Sequence, residues 1–262
     1  MAVSGTQGLI RMKPDYAHEK RLLDRHSTTY RIESPQDDLI RQLAVRTFKP
    51  HIHTTGNITA LEIGCSNGLM TALWTECFTH LDVVEGSKRF IAMAQERNLA
   101  NVTFHHTLLE TYETDTRYDV IIASYVLPVV MDEQLFLKKV RSLLKPDGIL
   151  YVVTANANAL SRQLAKHMGL IDDLLVLTEN ERNHGHRRAY DRPLLEETVT
   201  QAGFAIHTSG GIFLKNFADF QMDELIRHNI IEAMQIEGLY ALGKDYPDLG
   251  SAVDAVCGVP ND

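Results

Sequence analysis

The sequence predicts an α/β fold in which a mostly parallel sheet is covered by helices on both faces. Between about residues 58 and 154, short apolar runs of strand length alternate with segments of helical periodicity. The first of these runs leads through two glycines directly into a helical segment, as in a βα unit. The chain has 262 residues, of which 44% are hydrophobic, so it is long enough to bury such a sheet.

Two helices are predicted before the first strand, over residues 16–27 and 36–48. The second follows Ser34-Pro35, a typical helix start, and carries two aspartates in its first turn. The chain is therefore divided into a loose arm (1–14) and a helical cap, together residues 1–50, followed by a main domain over residues 51–262.

The main domain continues as alternating strands and helices. We predict strands at 58–63, 80–85, 101–105, 118–124, 149–154, 204–208 and 251–257. We predict helices at 67–78, 87–98, 132–144, 192–202 and 218–236. Lys145-Pro146-Asp147-Gly148 has the residues of a turn. Residues 155–191 interrupt the alternation, and connections of this length are often functional.

The composition argues against several classes of protein. The formal net charge is −8 and no Lys/Arg-rich block is present, so no nucleic-acid partner is expected. The spacing of Cys65, Cys77 and Cys257 suits neither a zinc site nor a disulfide framework, which indicates a reducing cytoplasm. We expect no membrane association, because no signal-peptide core and no apolar run of roughly 20 residues is present.

A glycine turn joins the first predicted strand to the first predicted helix. Gly64 and Gly68 can adopt backbone angles that other residues avoid, and they let a ligand approach the helix N-terminus closely. Glu85 ends the second strand about 20 residues later, where an acid accepts hydrogen bonds from ribose hydroxyls in nucleotide-binding folds. Gly86 and Ser87 follow as a second turn and helix start. This pattern predicts a nucleoside site.

The glycine pattern differs from two common nucleotide fingerprints. Ser66 and Leu69 stand where a dinucleotide-binding loop would have glycines, and no Gly-Lys-Ser/Thr follows for a P-loop. The remaining pattern, Glu62-x-Gly64-x-x-x-Gly68, resembles motif I of class I S-adenosylmethionine (SAM)-dependent methyltransferases.

The resemblance extends over about residues 58–210. Tyr118–Leu127 resembles the family's fourth strand, Leu143–Leu150 its turn into the fifth strand, and Gly203-Phe204 the start of its sixth. It implies a Rossmann-like, doubly wound sheet of seven strands, mostly parallel with an antiparallel last strand. Pro128-Val129 departs from the Glu-His of many relatives, so no base is expected there.

The resemblance also implies roles around SAM. Gly64 and Gly68 would admit its amino-acid end and Glu62 would orient it, while Glu85 would hold the ribose. The other residues expected beside the cofactor are Cys65, Ser66, Gly86, Ser87, Thr107, Leu108, Leu109 and Ser124, with the leucines and Thr107 near the adenine and Ser124 near the methionine.

The acceptor side is expected in the 155–191 insertion and after strand six. Residues 185–191 and 210–215 resemble a bacterial subset of these enzymes related to ubiquinone-type and sugar methyltransferases. His186 and His184 are candidate bases, because histidine titrates near neutrality. Tyr125 and Tyr190 are candidate orienting groups, and Arg187, Arg188 and Lys215 are candidates to hold an anionic acceptor. We predict no metal site, since no supporting carboxylate spacing is present.

Alternative functions stay open at this point. A nicotinamide-dependent oxidoreductase is disfavoured by the missing third glycine. A SAM-binding protein without turnover would carry the same glycines and acid. A nucleic-acid methyltransferase is disfavoured by the charge. The expected partner is a small-molecule acceptor, and the sequence leaves a homodimer open.

Overall fold

The computed structural model describes residues 15–29, 34–52 and 56–260. The arm predicted for residues 1–14 lies outside the described residues. Seven strands form one sheet in the order β3-β2-β1-β4-β5-β7-β6. The strands are β1 (Thr59–Ile63), β2 (His80–Glu85), β3 (Val102–His106), β4 (Tyr118–Ser124), β5 (Leu144–Ala155), β6 (Ala205–Ile212) and β7 (Ala252–Gly258).

The sheet is parallel from β3 to β5, and β7 runs antiparallel to both β5 and β6. The Rossmann-like, doubly wound fold with seven strands and an antiparallel last strand is thereby confirmed. Because parallel strands end together, the carboxyl ends of β1 to β5 form one rim of the sheet.

Ten helices surround the sheet in the described part of the chain. They are α1 (Tyr16–Thr29), α2 (Pro35–Phe48), α3 (Leu69–Trp74), α4 (Lys88–Gln95), α5 (Glu133–Leu143), α6 (Leu160–His167), α7 (Glu179–Asn183), α8 (Arg192–Gln201), α9 (Asp219–Arg227) and α10 (Ala233–Asp245). Ser34 caps α2 by accepting a hydrogen bond from the Asp37 N–H, as the Ser-Pro signal predicted. No helix among the described residues is long and apolar enough to cross a membrane.

Two predicted elements differ from the structure. The helix predicted at 218–236 is two helices, because Asn229 adopts a left-handed conformation (φ 51°) that ends α9. The Ile230 and Asn229 N–H groups donate back to the carbonyls of Leu225 and Ile226, which closes the helix as a Schellman motif does. The turn predicted at residues 145–148 lies inside β5 as a bulge in its pairing with β4. Tyr118 of β4 pairs with Leu144, and the next paired residue, Val120, pairs with Ile149.

Each face of the sheet carries its own hydrophobic core. On the first face, the Phe48 and Tyr151 rings stack with their centroids 4.4 Å apart, and Trp74 meets Phe48 edge-on at 5.7 Å. On the second face, α5 and α8 bury Phe136 and Leu195 against the central strands. These two cores pack against the strands whose following turns, after β1, β2 and β4, form the rim.

Candidate functional site

The glycine turn after β1 is shaped by close packing. Gly64 (φ 78°) and Gly68 (φ 74°) both adopt left-handed backbone angles. A Cβ on Gly64 would lie 2.8 Å from Val126 Cγ1, and one on Gly68 would lie 2.7 Å from the backbone of Ala94 in α4. Any larger residue at either position would therefore push the turn away from the β4 loop or from α4.

Glu85 ties this turn to the one that follows β2. Its carboxylate accepts hydrogen bonds from the Ser87 N–H at 2.7 Å and the Cys65 N–H at 3.1 Å. Burial raises the pKa of Glu85, and the backbone N–H groups of these two turns oppose that rise. Burial also raises the pKa of the Cys65 thiol, which makes it an unreactive side chain of the turn.

Glu62 is buried on the first face of the sheet, below the glycine turn. The Thr71 hydroxyl donates to its Oε2 at 2.6 Å, while its Oε1 has no hydrogen-bond partner among the described residues. Burial raises the pKa of Glu62 to about 8. The Ser124 Oγ, at the end of the adjacent β4, likewise has no partner in the described part of the chain. Together with Ser66 Oγ of the glycine turn, which also has no partner among the described residues, three buried polar atoms at the rim are thus left for a ligand or water to satisfy.

The residues expected near an adenine follow β3. Thr107 Oγ1 lies 3.0 Å from Thr111 Oγ1. Leu108 packs so closely against Gly86 that a Cβ placed on this glycine would lie 2.8 Å from Leu108 Cδ2. Leu109 belongs to the second core and is only 2% exposed. Thr107 and Leu108 therefore border the rim, and Leu109 supports them from the core.

Helix α1 lies across the rim, over the turns after β2 and β3. The Asp24 carboxylate accepts from the Ser87 hydroxyl at 2.8 Å and from the Lys88 N–H at 2.9 Å. The Lys20 ammonium donates to the His106 carbonyl at 2.9 Å. Lys20 and Asp24 are one helical turn apart, so a single face of α1 holds both contacts. Neither residue was predicted to belong to the site, although both lie one turn apart on the helix predicted at 16–27.

The loop 184–190 packs between α1 and the loop that follows β4. The Arg187 N–H donates to the Pro128 carbonyl at 2.7 Å, and its guanidinium donates to both carboxylate oxygens of Glu19 in α1, at 2.9 and 2.8 Å. Gly185 (φ 81°) lies against the His26 ring, where a Cβ would be 2.5 Å from Cε1. The cap and the predicted acceptor loop therefore contact each other directly.

The two candidate bases have different surroundings. Burial lowers the pKa of His186, and the nearby Glu181 carboxylate partly opposes that effect. His184 ends α7, with its Nδ1 2.7 Å from the Asn180 carbonyl. The described residues contain no group of three or more His, Cys, Asp or Glu side chains arranged to hold a metal ion.

Arg188 is bound to the loop that follows β4 and to the start of α5. Its guanidinium donates to the carbonyls of Leu127, Val130 and Met131 at 2.7–3.1 Å, and it lies 3.2 Å from the Glu133 carboxylate. These contacts shape the loop after β4, and they leave few guanidinium N–H groups to bind a methyl acceptor.

The remaining candidates are buried or hydrogen-bonded within the protein. Lys215 is 4% exposed and donates to the Phe217 carbonyl at 2.9 Å and the Asp219 carboxylate at 2.7 Å, at the start of α9. Tyr190 is 1% exposed, and burial raises its pKa to about 12. Tyr125 directly follows β4 in a left-handed conformation (φ 58°), and its N–H donates to the Val153 carbonyl at 2.7 Å. Of these three, Tyr125 is the residue at the rim.

Comparison with known proteins gives both a family and relatives. Residues 29–209 match the family model of a methyltransferase domain. A ubiquinone biosynthesis O-methyltransferase from Bradyrhizobium diazoefficiens is 29% identical over 142 residues, which are 52% of this chain and 56% of that relative. The chain thus spans a little over half the length of that curated relative.

Solved structures share the fold at lower identity. The N-methyltransferase NodS from Bradyrhizobium japonicum, in complex with S-adenosylhomocysteine, has a TM-score of 0.58 at 15% identity, covering 94% of this chain and 98% of that one. The [4+2]-cyclase SpnF also has a TM-score of 0.58, at 19% identity, over 85% of this chain and 82% of that one. Since the two have different activities, the fold alone does not define the chemistry.

Proposed function

The chain belongs to the methyltransferase-domain family that residues 29–209 match, and on that premise we propose that it transfers the methyl group of SAM to an O or N atom of a small-molecule acceptor. The product would be S-adenosylhomocysteine. One observation carries the proposal: Glu85 accepts the Cys65 N–H of the glycine turn and the Ser87 N–H of the next turn, so the two predicted cofactor turns form one unit.

The buried groups at the rim fit SAM. The Glu62 Oε1 has no partner among the described residues, and it suits the ammonium of the amino-acid end. Gly64 and Gly68 carry no side chain above the turn, and Leu108 offers an apolar surface for the adenine. When bound, SAM supplies a methyl group on a sulfonium that reacts by in-line displacement, so the protein contributes mainly alignment and exclusion of water.

His186 is the base that we propose for an acceptor that must lose a proton. Its lowered pKa keeps the imidazole neutral at pH 7, so that it can accept a proton. Tyr190 is not suited to this role, because a phenol with a pKa of about 12 stays protonated at neutral pH. Arg187 is engaged by Glu19, so its role would be to couple the cap to the acceptor loop.

We assign the cap a covering role. Helix α1 contacts the turns after β2 and β3 and the loop 184–190, which suits a lid over both ligands. The enzyme would act in the cytoplasm in small-molecule biosynthesis, and its three free cysteines suit a reducing compartment. Sedimentation velocity would test the homodimer that the sequence leaves open.

Titration calorimetry tests the cofactor assignment. The wild type should bind SAM and S-adenosylhomocysteine and should not bind NADH. Glu85→Gln should weaken S-adenosylhomocysteine binding about 10-fold or more, since hydrogen bonds to a charged group contribute about 1.5–3 kcal/mol. Glu113→Gln, at an exposed loop residue, is the matched control. NADH binding, or equal affinity in the two variants, would overturn the assignment; binding of SAM without any methyl transfer would reduce the protein to a SAM-binding one.

A further inference from the structure

A second buried carboxylate lies at the rim, on the opposite half of the sheet from Glu62. Asp254 of β7 is paired with Val153 of β5 and Gly210 of β6. It is 3% exposed, and its Oδ1 has no hydrogen-bond partner among the described residues. An unpaired buried carboxylate is unfavourable, so a partner for this oxygen is expected.

The described residues around Asp254 supply no ion pair. Its neighbours on β7, Ala252 and Val256, are apolar members of the first core. Lys244 of α10 is the cation that acts on it electrostatically, but its ammonium lies over the Tyr240 ring, 4.3 Å from the centroid. No salt bridge to Asp254 is present within 4 Å in the described ranges.

Space for a small group lies beside the Asp254 carboxylate. Gly210 faces it across the β6–β7 pair. A Cβ placed on Gly210 would lie 3.4 Å from Asp254 Oδ1 and within 4 Å of no other described atom beyond its chain neighbours. Because β6 is the edge strand of the sheet, this space is next to an edge rather than inside the central sheet.

Asp254 is level with the end of β4, where the methyl donor is proposed to lie. Val153 pairs with Ser124 on one side and with Asp254 on the other, so the two residues are two strand spacings, about 10 Å, apart. Ser124 and Asp254 both pair with Val153, a member of the first core, so both side chains lie on the first face of the sheet. A molecule about 10 Å long that is methylated beside Ser124 would place its far end level with Asp254.

We propose that Asp254 binds a protonated amine of the acceptor, several bonds away from the atom that is methylated. This inference rests on the proposed methyl transfer. It follows from the likeness to Glu62: each half of the rim has a buried carboxylate with an oxygen that no described residue binds, and the ammonium of SAM accounts for only the first. The acceptor would therefore be a cationic amine, and the protein would recognise it by its positive charge.

Three phenols that differ in charge test the proposal. Tyramine carries an ammonium, 4-ethylphenol carries no charge, and 3-(4-hydroxyphenyl)propionate carries a carboxylate. Their binding to the protein saturated with S-adenosylhomocysteine is measured by ligand-detected NMR titration. We expect tyramine to bind about 10-fold more tightly than 4-ethylphenol, as for a charge-assisted hydrogen bond, and the propionate to bind most weakly.

Two variants assign the preference to this site. Asp254→Asn keeps the shape and removes the charge, and Gly210→Ala fills the space beside Oδ1 at an ordinary contact distance. Both should abolish the preference for tyramine while leaving S-adenosylhomocysteine affinity unchanged. Asp245→Asn, at the exposed end of α10, removes an equal charge and should keep the preference.

The outcomes separate this inference from the proposed function. Equal binding of tyramine and 4-ethylphenol, or a preference that survives in Asp254→Asn, would overturn the inference and mean that buried water alone satisfies the carboxylate. If the wild type does not bind S-adenosylhomocysteine, the proposed function is overturned instead.

Discussion

The two halves of the rim are held by different kinds of contact. On the cofactor half, formed by the turns after β1 and β2, the turns themselves are shaped by the backbone: glycines pack at fixed positions and one carboxylate binds two N–H groups, while Asp24 of α1 covers them from outside. On the acceptor half, formed by the loops 125–131 and 184–190 together with β7, they join distant side chains. Arg187 and Glu19, for example, are 168 residues apart in the chain.

This difference explains why one half resembles a large family and the other does not. A turn whose glycines and acid must recur at fixed spacing leaves a pattern in the sequence. A loop held by arginines from elsewhere can change its ligand without changing that pattern. The acceptor half is therefore where specificity is expected to differ among related proteins.

The pH dependence of stability gives the largest expected effect. Burial raises the pKa of Asp254 from 3.8 to about 7, which corresponds to about 4 kcal/mol. Because the folded-state pKa is the higher one, the stability it contributes is present below pH 3.8 and is lost as the pH rises through 7. Asp254→Asn should remove about 4 kcal/mol of the decline in urea-unfolding free energy between pH 4 and 7 and leave the part that Glu62 produces, and Asp245→Asn should retain all of it. Parallel pH profiles for both variants would contradict the burial argument.

The glycine turn of the cofactor half gives the next largest effect. In Gly68→Ala the new Cβ meets the Ala94 backbone and the backbone is left-handed, so we expect a loss of about 3 kcal/mol in unfolding free energy. Gly169→Ala is the control, because Gly169 has a similar φ of 72° and a Cβ placed there would meet no described atom within 4 Å. It should cost about 1–2 kcal/mol, from strain alone. Equal losses in urea titrations would show that packing at the turn adds nothing.

The same division sets how much could be predicted from the sequence. The bounds of β2 and β4 and the glycine turn follow from apolar runs and from residue types that act locally. The break at Asn229 was missed, since an asparagine within a periodic segment does not by itself indicate a left-handed residue. Arg188 and Lys215 bind loop carbonyls and carboxylates through tertiary contacts. The sequence does not show such contacts, so a basic residue in a predicted loop suggested ligand binding.

His186 tests the acceptor half in turnover. If it is the base, His186→Ala should lower kcat about 100-fold with little change in the affinity for S-adenosylhomocysteine. His167→Ala, at the exposed end of α6, is the control and should leave kcat unchanged. A change confined to KM for the acceptor would assign His186 to binding rather than to proton transfer. The assay follows S-adenosylhomocysteine release with an acceptor found among amine-bearing phenols.

The smallest expected effect comes from the ion pair that joins the halves. Glu19 and Arg187 are 16% and 38% exposed in their side chains, so their coupling should be about 0.2–1 kcal/mol and should weaken with salt. Glu19→Gln should therefore speed S-adenosylhomocysteine dissociation about 2- to 5-fold at low salt in stopped-flow measurements. Glu237→Gln breaks a comparable pair, with Arg46, that joins α2 and α10 away from the lid, and should not alter dissociation. If both variants release the product at the wild-type rate, α1 is a fixed part of the fold and the two halves of the rim bind their ligands independently.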